Sequence, residues 1–380
     1  MLKKKYINAL TGARFIAIMV IVCSHFEFLY QYNIGNMYSL FFHNATMGVD
    51  FFFMLSGFGI MLSNIQKNSN NKKNNIKSLF NFSWAHVSEI YPLYIITLLI
   101  GIPYYMLISI MEEGKSFLRT VIFSVVKFAA CLTLLQSSTG MMCFSHSLNA
   151  VCWFLSTLFC IHLVSPIIMK YLKRIVRNIR TAVIAIAITI FSSYVSAILF
   201  EWIDKRTIFD ALCYVSPYRR IFYVICGMII AQMYTFHQKF IKSAVLEYMS
   251  MGFAMVWFFA RNSVSECIGS FVYIIDMILC ACVLYALSLE KGKISKIFAS
   301  KTMVYLGNIS IYIFITHYLI RVYVDFFVRQ LSMESPTIAI VEIIVILGFT
   351  FLVSFILGRY YQSMKMNIKK NYEKFRNIVH

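Results

Sequence analysis

The sequence predicts an all-α integral membrane protein of about ten transmembrane helices with both termini cytoplasmic, and three observations predict it. Hydrophobic residues fill 60% of the 380 positions and charged residues only 13%, for a mean hydropathy of +0.72. The apolar residues run in blocks near twenty long, such as TAVIAIAITIFSSYVSAILF. A helix of that length, rising about 1.5 Å per residue, crosses a hydrocarbon core about 30 Å thick. Lysine and arginine gather in the short segments between blocks, as the positive-inside rule requires. This composition excludes a soluble globule, and the unbroken blocks lack the alternation of barrel strands.

Ten blocks fit as spans: roughly 12–31, 45–64, 87–109, 151–169, 180–200, 218–234, 243–260, 267–288, 303–325 and 337–359. The first follows Lys3, Lys4 and Lys5 as a signal peptide would. No small-residue cleavage site comes after it, so an uncleaved first helix is expected. An eleventh block, 120–137, carries Lys127 at its middle, and loop charge decides its placement. If it stays uncrossed, the basic loops share the side of the N terminus. They hold Lys67, Lys72, Lys73 and Lys77, then Lys170, Lys173, Arg174, Arg177 and Arg180, then Lys239 and Lys242, then Lys291, Lys293, Lys296 and Lys301. The tail adds Lys365, Lys369, Lys370, Lys374 and Arg376. The block is therefore expected to be an interfacial or re-entrant helix in a long outer segment, 110–150. Residues 1–360 read as one membrane domain and 361–380 as a basic cytoplasmic tail, with QKNSNNKKNNIK as a flexible loop.

A net charge of +19 would suggest nucleic acid on a soluble chain, but here the loops account for it, and membrane lipids are the expected partner. The ten cysteines are scattered through apolar blocks without a CxxC pair, so they read as small core residues. Neither a cysteine–histidine cluster nor paired carboxylates occur, which argues against zinc hydrolysis and glycosidase chemistry, and no metal is expected.

Ionisable residues inside spans are costly unless they face a cavity, a partner or water. Arg14 and His25 share the first span, eleven residues apart, which is about three turns and about 16 Å of rise. They lie on one face, too far apart to touch and close enough for one long ligand to reach both. Asp50, the acid of GVDFFFMLSGFG, enters from the other side at a depth matching His25, so it is expected to orient the imidazole. His317, in YIFITHY, falls at the same level and is expected to line the same cavity. Arg220, after Pro217, is expected near the outer surface, against an anionic acceptor or a lipid headgroup. Ser56 has no base at its level and is not read as a nucleophile, while Gly57 and Gly59 read as close-packing residues. His162 and Asp276 carry weaker signals.

These motifs resemble the membrane acyltransferase-3 family. ALTGARFIAIMVIVCSHF is similar to its opening motif through Arg14 and His25. GVDFFFMLSGFGI resembles its second-helix signature through Gly48, Asp50, Ser56 and Gly57. IYPLY, the stretch from Trp153 to Pro166, SPYRRIFYVICGM and LGNISIYIFITHYLI follow in the family's order. Departures at Glu89, Leu158 and Tyr223 point to a divergent branch. The resemblance implies an enzyme of about ten spans that moves an acyl group, most often acetyl, from acyl-coenzyme A to a surface or lipid-linked saccharide. It implies a catalytic His25 and an Arg14 important for activity. Donor phosphates are expected at Arg14 with Arg174, Arg177 and Arg180, and acceptor contacts at Arg220 and His317. The cytoplasmic membrane of a bacterium is the expected location. Two other readings stand beside it. One is a proton-coupled transporter or flippase using His25, Asp50 and His317, although no internal repeat supports it. The other is a sensor that keeps the fold without the reaction.

Overall fold

The structure, a computed structural model, describes residues 7–32, 38–39, 45–67, 75–237, 244–330 and 335–379. Of the basic positions read above, Lys3, Lys4, Lys5, Lys72, Lys73, Lys239 and Lys242 lie outside the described residues, as do the side chains from Lys365 to Arg376. Every regular element among the described residues is helical. We label the principal helices α1 (Asn8–Ser24), α2 (Ala45–Gln66), α3 (Ile76–Val87), α4 (Tyr91–Met111), α5 (Phe117–Leu132), α6 (Trp153–Ile175) and α7 (Ile179–Asp204). There follow α8 (Pro217–His237), α9 (Val245–Ile268), α10 (Val272–Ser288), α11 (Lys293–Phe298), α12 (Lys301–Gln330) and α13 (Pro336–Val379).

Among the described residues, seven stretches are long and apolar enough to cross a membrane, so the fold is that of a multi-span membrane protein. They are α2, α4, α6, α7, the 44-residue run Val245–Ser288, α12, and α13 as far as Tyr361. The 44-residue run is not one rod. It turns at Gly269, whose φ of +54° suits a residue without a Cβ, and α9 and α10 pack against each other. α1 is apolar but only 17 residues long, and α8 carries Arg219 and Arg220 in its first turn. Apolar residues on α7, among them Ile184, Ile188 and Phe191, are exposed along its length, as a lipid-facing helix requires.

The eleventh apolar block forms α5, 16 residues that are not among the helices long enough to cross. The helix is two-faced. Thr120, Ser124 and Cys131 are buried, whereas Leu118, Ile122, Val125 and Val126 are exposed. Lys127 sets its ammonium 4.1 Å from the centroid of the Tyr105 ring on α4, which satisfies the charge in mid-helix. Beyond α5 the chain re-enters the bundle between α4, α6 and α12. Leu134 (φ 56°) and Leu148 (φ 58°) hold left-handed conformations that a bulky residue rarely adopts. Ser156 Oγ donates to the Leu134 carbonyl at 2.9 Å, and Asn149 Nδ2 donates to the Ile315 carbonyl at 2.9 Å. Gly101 on α4 admits the Leu148 backbone, because a Cβ there would strike the Leu148 carbonyl.

The centre of the molecule is the crossing of α2 and α8, made by paired glycines. A Cβ on Gly57 would collide with the Val224 carbonyl, and one on Gly227 with the Met54 carbonyl. The two backbones therefore meet directly over about one turn. A second crossing joins α1 to α12, where a Cβ on Gly307 would strike the Thr11 carbonyl. On the other side of the contact, a Cβ on Gly12 would strike Phe298 at the end of α11. Gly59, expected to serve close packing as Gly57 does, faces open space instead. This contrast makes a prediction. Gly227→Ala should destabilise the protein, because backbone atoms rather than flexible side chains must move, by about 1–3 kcal/mol or more. Gly59→Ala should be neutral or gain up to about 1 kcal/mol of helix propensity. Thermal unfolding of the two variants in detergent should separate them by several degrees, and equal midpoints would refute the glycine crossing.

Candidate active site

A cavity forms where the end of α1 meets α2, α6, α12 and the re-entrant segment. His25 lines it together with Val49, His146, Trp153, Tyr214 and Phe314. His25 is the C-cap of α1, and its amide donates to the Val22 carbonyl at 3.1 Å, so the helix ends as the imidazole enters the cavity. The ring is half-buried. It sits 5.3 Å, centroid to centroid, from His317 and the same distance from Tyr318 in an edge-on contact.

The orientation of His317 follows from its own helix. Nδ1 donates to the Phe314 carbonyl at 2.7 Å and shares the Ile313 carbonyl at 3.1 Å. That fixes the proton on Nδ1 and leaves a lone pair on the buried Nε2, which has no hydrogen-bond partner. His146, which sequence reasoning did not single out, stacks on Tyr214 at 6.5 Å and lines the same cavity as His25. It belongs to no span, and only the re-entrant path of residues 133–152 brings it there.

Asp50 does not orient His25. It is fully buried, and its Oδ1 pairs with Arg220 Nη1, while Oδ2 has no hydrogen-bond partner. α2 sets Gly48 against Ala17 and Ile21, well short of His25 on α1, and presents Asp50 to α8 across the glycine crossing. Arg220 is likewise not at the outer surface. It is 0% exposed, donates through Nε to the Tyr214 carbonyl at 2.6 Å, and lies 5.1 Å and 5.9 Å from the Tyr214 and Trp153 rings. An unpaired charge at this depth would be very costly, so the carboxylate and guanidinium hold each other. The expectation that Arg220 contacts an acceptor or a headgroup therefore gives way to a role beneath the cavity wall. Arg219 is buried beside it, donating to the Cys213 carbonyl at 3.1 Å. Asp276 receives Trp257 Nε1 at 2.7 Å and the Arg261 fork at 2.9–3.1 Å, a second ion pair that closes the α9–α10 hairpin.

Arg14 is exposed on α1, three turns from His25. Arg174, Arg177 and Arg180 are exposed at the turn from α6 to α7, where Arg177 Nε donates to the Arg174 carbonyl at 2.8 Å. Ser56 has a base at its level after all: its Oγ shares a hydrogen bond of 3.0 Å with His162 Nε2. The exposed His86 lies 4.8 Å from the His162 ring, so three polar side chains run from the surface at α3 into the bundle. Sequence spacing gives no hint of this, because the three lie on different helices. Among the described residues, no group of three or more His, Cys, Asp or Glu is placed to hold a metal ion.

Helices of membrane-spanning length surround a cavity lined in part by His25 and His146, the architecture of a multi-span membrane protein. The chain belongs to the acyltransferase-3 family, whose acyltransferase domain matches residues 7–359, nearly its whole length. No curated protein matches the chain, and no solved structure does.

The Asp50–Arg220 pair carries a prediction of its own. Asp50→Asn should destabilise the fold by about 3–5 kcal/mol, because Arg220 is left buried and uncompensated. The double variant Asp50→Leu with Arg220→Met should recover most of that loss. Thermal unfolding of single and double variants measures it. An Asp50→Asn protein of unchanged stability and reduced turnover would return Asp50 to the role of orienting His25.

Proposed function

We propose that the chain transfers an acyl group, acetyl being the family's usual one, from acyl-coenzyme A to a hydroxyl of a surface or lipid-linked saccharide. The observation that carries this reading is the half-buried His25 beside the unpartnered Nε2 of His317 in a chain of an acyltransferase family. His25 acts as general base. It accepts the proton of the acceptor hydroxyl as the oxygen attacks the thioester carbonyl; the thiolate then leaves and is protonated, and the products are an ester and coenzyme A. As His25 becomes imidazolium, its charge needs a partner, and Asp50 is already taken by Arg220. The lone pair of His317 Nε2 accepts the ring's other N–H, the one turned away from the acceptor hydroxyl, and that bond strengthens as the charge develops. Arg14, three turns away on the same helix, binds the donor's phosphates together with arginines of the set Arg174, Arg177 and Arg180.

Residues 1–360 form the catalytic unit, with ten spans and both termini in the cytoplasm. Seven long stretches become ten spans if α1 and α8 also cross and the run Val245–Ser288 crosses twice. The basic turn between α6 and α7 then faces the donor's compartment, and α5 lies in the outer interface. On this reading the membrane is the cytoplasmic membrane of a bacterium. A reporter fused after residue 145 should be external and one after residue 175 cytoplasmic. An external reporter at 175 would overturn the ten-span arrangement.

His25→Ala should fold and bind donor, since it removes only the proton acceptor, while acyl transfer falls by about 100-fold or more. Purified protein that has been shown to bind acyl-coenzyme A provides the test. Near-normal turnover by that variant would remove His25 from the chemistry. Proton-coupled flux without any acyl transfer by the unmodified protein would favour the transporter reading.

A further inference from the structure

Beyond His317, α12 continues with Arg321, Asp325 and Arg329, each four residues after the last and so on one face of the helix. Arg321 stands about 6 Å of rise from His317, toward the end of α12 remote from Lys301. Its guanidinium is poorly partnered compared with its neighbours. Arg329 grips Asp325 with two bonds of 3.0 Å and 2.8 Å, and Arg261 grips Asp276 in the same way. Arg220 is paired with Asp50 and bonded to the Tyr214 carbonyl. Arg321 instead has Glu27 at 3.9 Å, through Nη2 alone, and its buried Nε has no hydrogen-bond partner. The Arg321 side chain is 12% exposed and that of Glu27 63%, so a largely buried cation is offset by a mostly solvated anion. Burying a guanidinium without a close counter-ion costs several kcal/mol in a folded protein. A side chain kept in that state one turn from the reacting histidines is a site for an anion brought by a ligand.

We propose that Arg321 binds an anionic group of the acyl acceptor, a carboxylate or a phosphate carried within one or two sugar residues of the hydroxyl that is acylated. The inference rests on the proposed function for placing that hydroxyl at His25, and it adds the charge class of the acceptor. Glu27, two residues after His25, competes with the ligand for the same guanidinium. When the ligand binds, its planar or tetrahedral anion takes Nε and one terminal nitrogen together, the paired geometry that arginine offers and lysine lacks. Tyr318, in contact with the His25 ring and three residues before Arg321, supplies an aromatic face beside the acceptor.

The test is direct binding to the full chain in nanodiscs without donor, so that its outcome does not depend on acyl transfer. The probes are trigalacturonate and its methyl ester, which differ only in charge, with glucose 6-phosphate and glucose as the phosphate pair. At least one anionic probe should bind tenfold or more tightly than its neutral counterpart at low salt, and the pair that responds identifies the anion. Arg321→Gln should abolish the preference. Arg321→Lys, which keeps the charge, should retain it at reduced strength, and Glu27→Gln should strengthen it severalfold. Equal binding of charged and neutral probes, or an undiminished preference in Arg321→Gln, overturns the proposal. Acyl transfer measured in parallel separates the two readings: charge preference without transfer sinks the enzyme alone, and transfer without charge preference sinks the anion site alone.

Discussion

The ion pair between Asp50 and Arg220 is the interaction around which the bundle is organised. Neither side chain has solvent to retreat to, so each is tolerable only while the other is in place. Their meeting fixes the rotation of α2 against α8, and the glycines at 57 and 227 let the two backbones close far enough for the pair to form. Arg220 also carries the Tyr214 carbonyl and lies beneath the Tyr214 and Trp153 rings. The part of the cavity wall formed by Tyr214 and Trp153 is thus built on a charge that is not itself among the lining. Electrostatics deep in the bundle becomes geometry at the site.

That division of labour leaves the histidines free of fixed counter-ions. His317 spends its only N–H on its own helix and keeps an unpartnered lone pair on Nε2, its ring 5.3 Å from that of His25. A carboxylate in that place would favour the charged imidazole before any substrate arrived. On the proposed function, a neutral acceptor would let His25 begin as a base and would still take the ring's second N–H as the charge develops. The rest of the lining is mainly aromatic and aliphatic, Phe154 and Phe314 among it.

Much of the architecture was legible in sequence because membranes impose a simple ruler. Block length and loop charge sort helices, and the doubtful block at 120–137 emerged as the short α5, Phe117–Leu132. Depth along a helix follows from rise, and that arithmetic brought His317 level with His25. Rotation about the helix axis does not follow from rise. Asp50 was expected beside His25, but α2 packs Gly48 on Ala17 and Ile21 and turns Asp50 toward Arg220, because register and azimuth between helices are set by neighbours that a local pattern does not contain. The same gap hid the contact between Ser56 and His162, which lie 106 residues apart on α2 and α6. His146 was invisible for another reason. It sits in a re-entrant stretch whose path depends on two leucines in left-handed conformation and on a glycine of α4 that admits the backbone.

The crossing of α1 and α12 at Gly12 and Gly307 has a mechanical consequence. Both helices are clamped backbone to backbone near one end, while His25 and His317 ride thirteen and ten residues farther along. Each imidazole is therefore carried on a lever of roughly 15–20 Å whose fulcrum is a glycine contact. A change of only about three degrees in crossing angle shifts the far end by roughly 1 Å, the scale at which misplaced catalytic groups lose about 100-fold in rate. The distance between the two rings is in this sense an amplified copy of an angle set at the opposite end of the bundle. Whatever presses on α11 beside that fulcrum, where Phe298 touches Gly12, moves the two rings without approaching them.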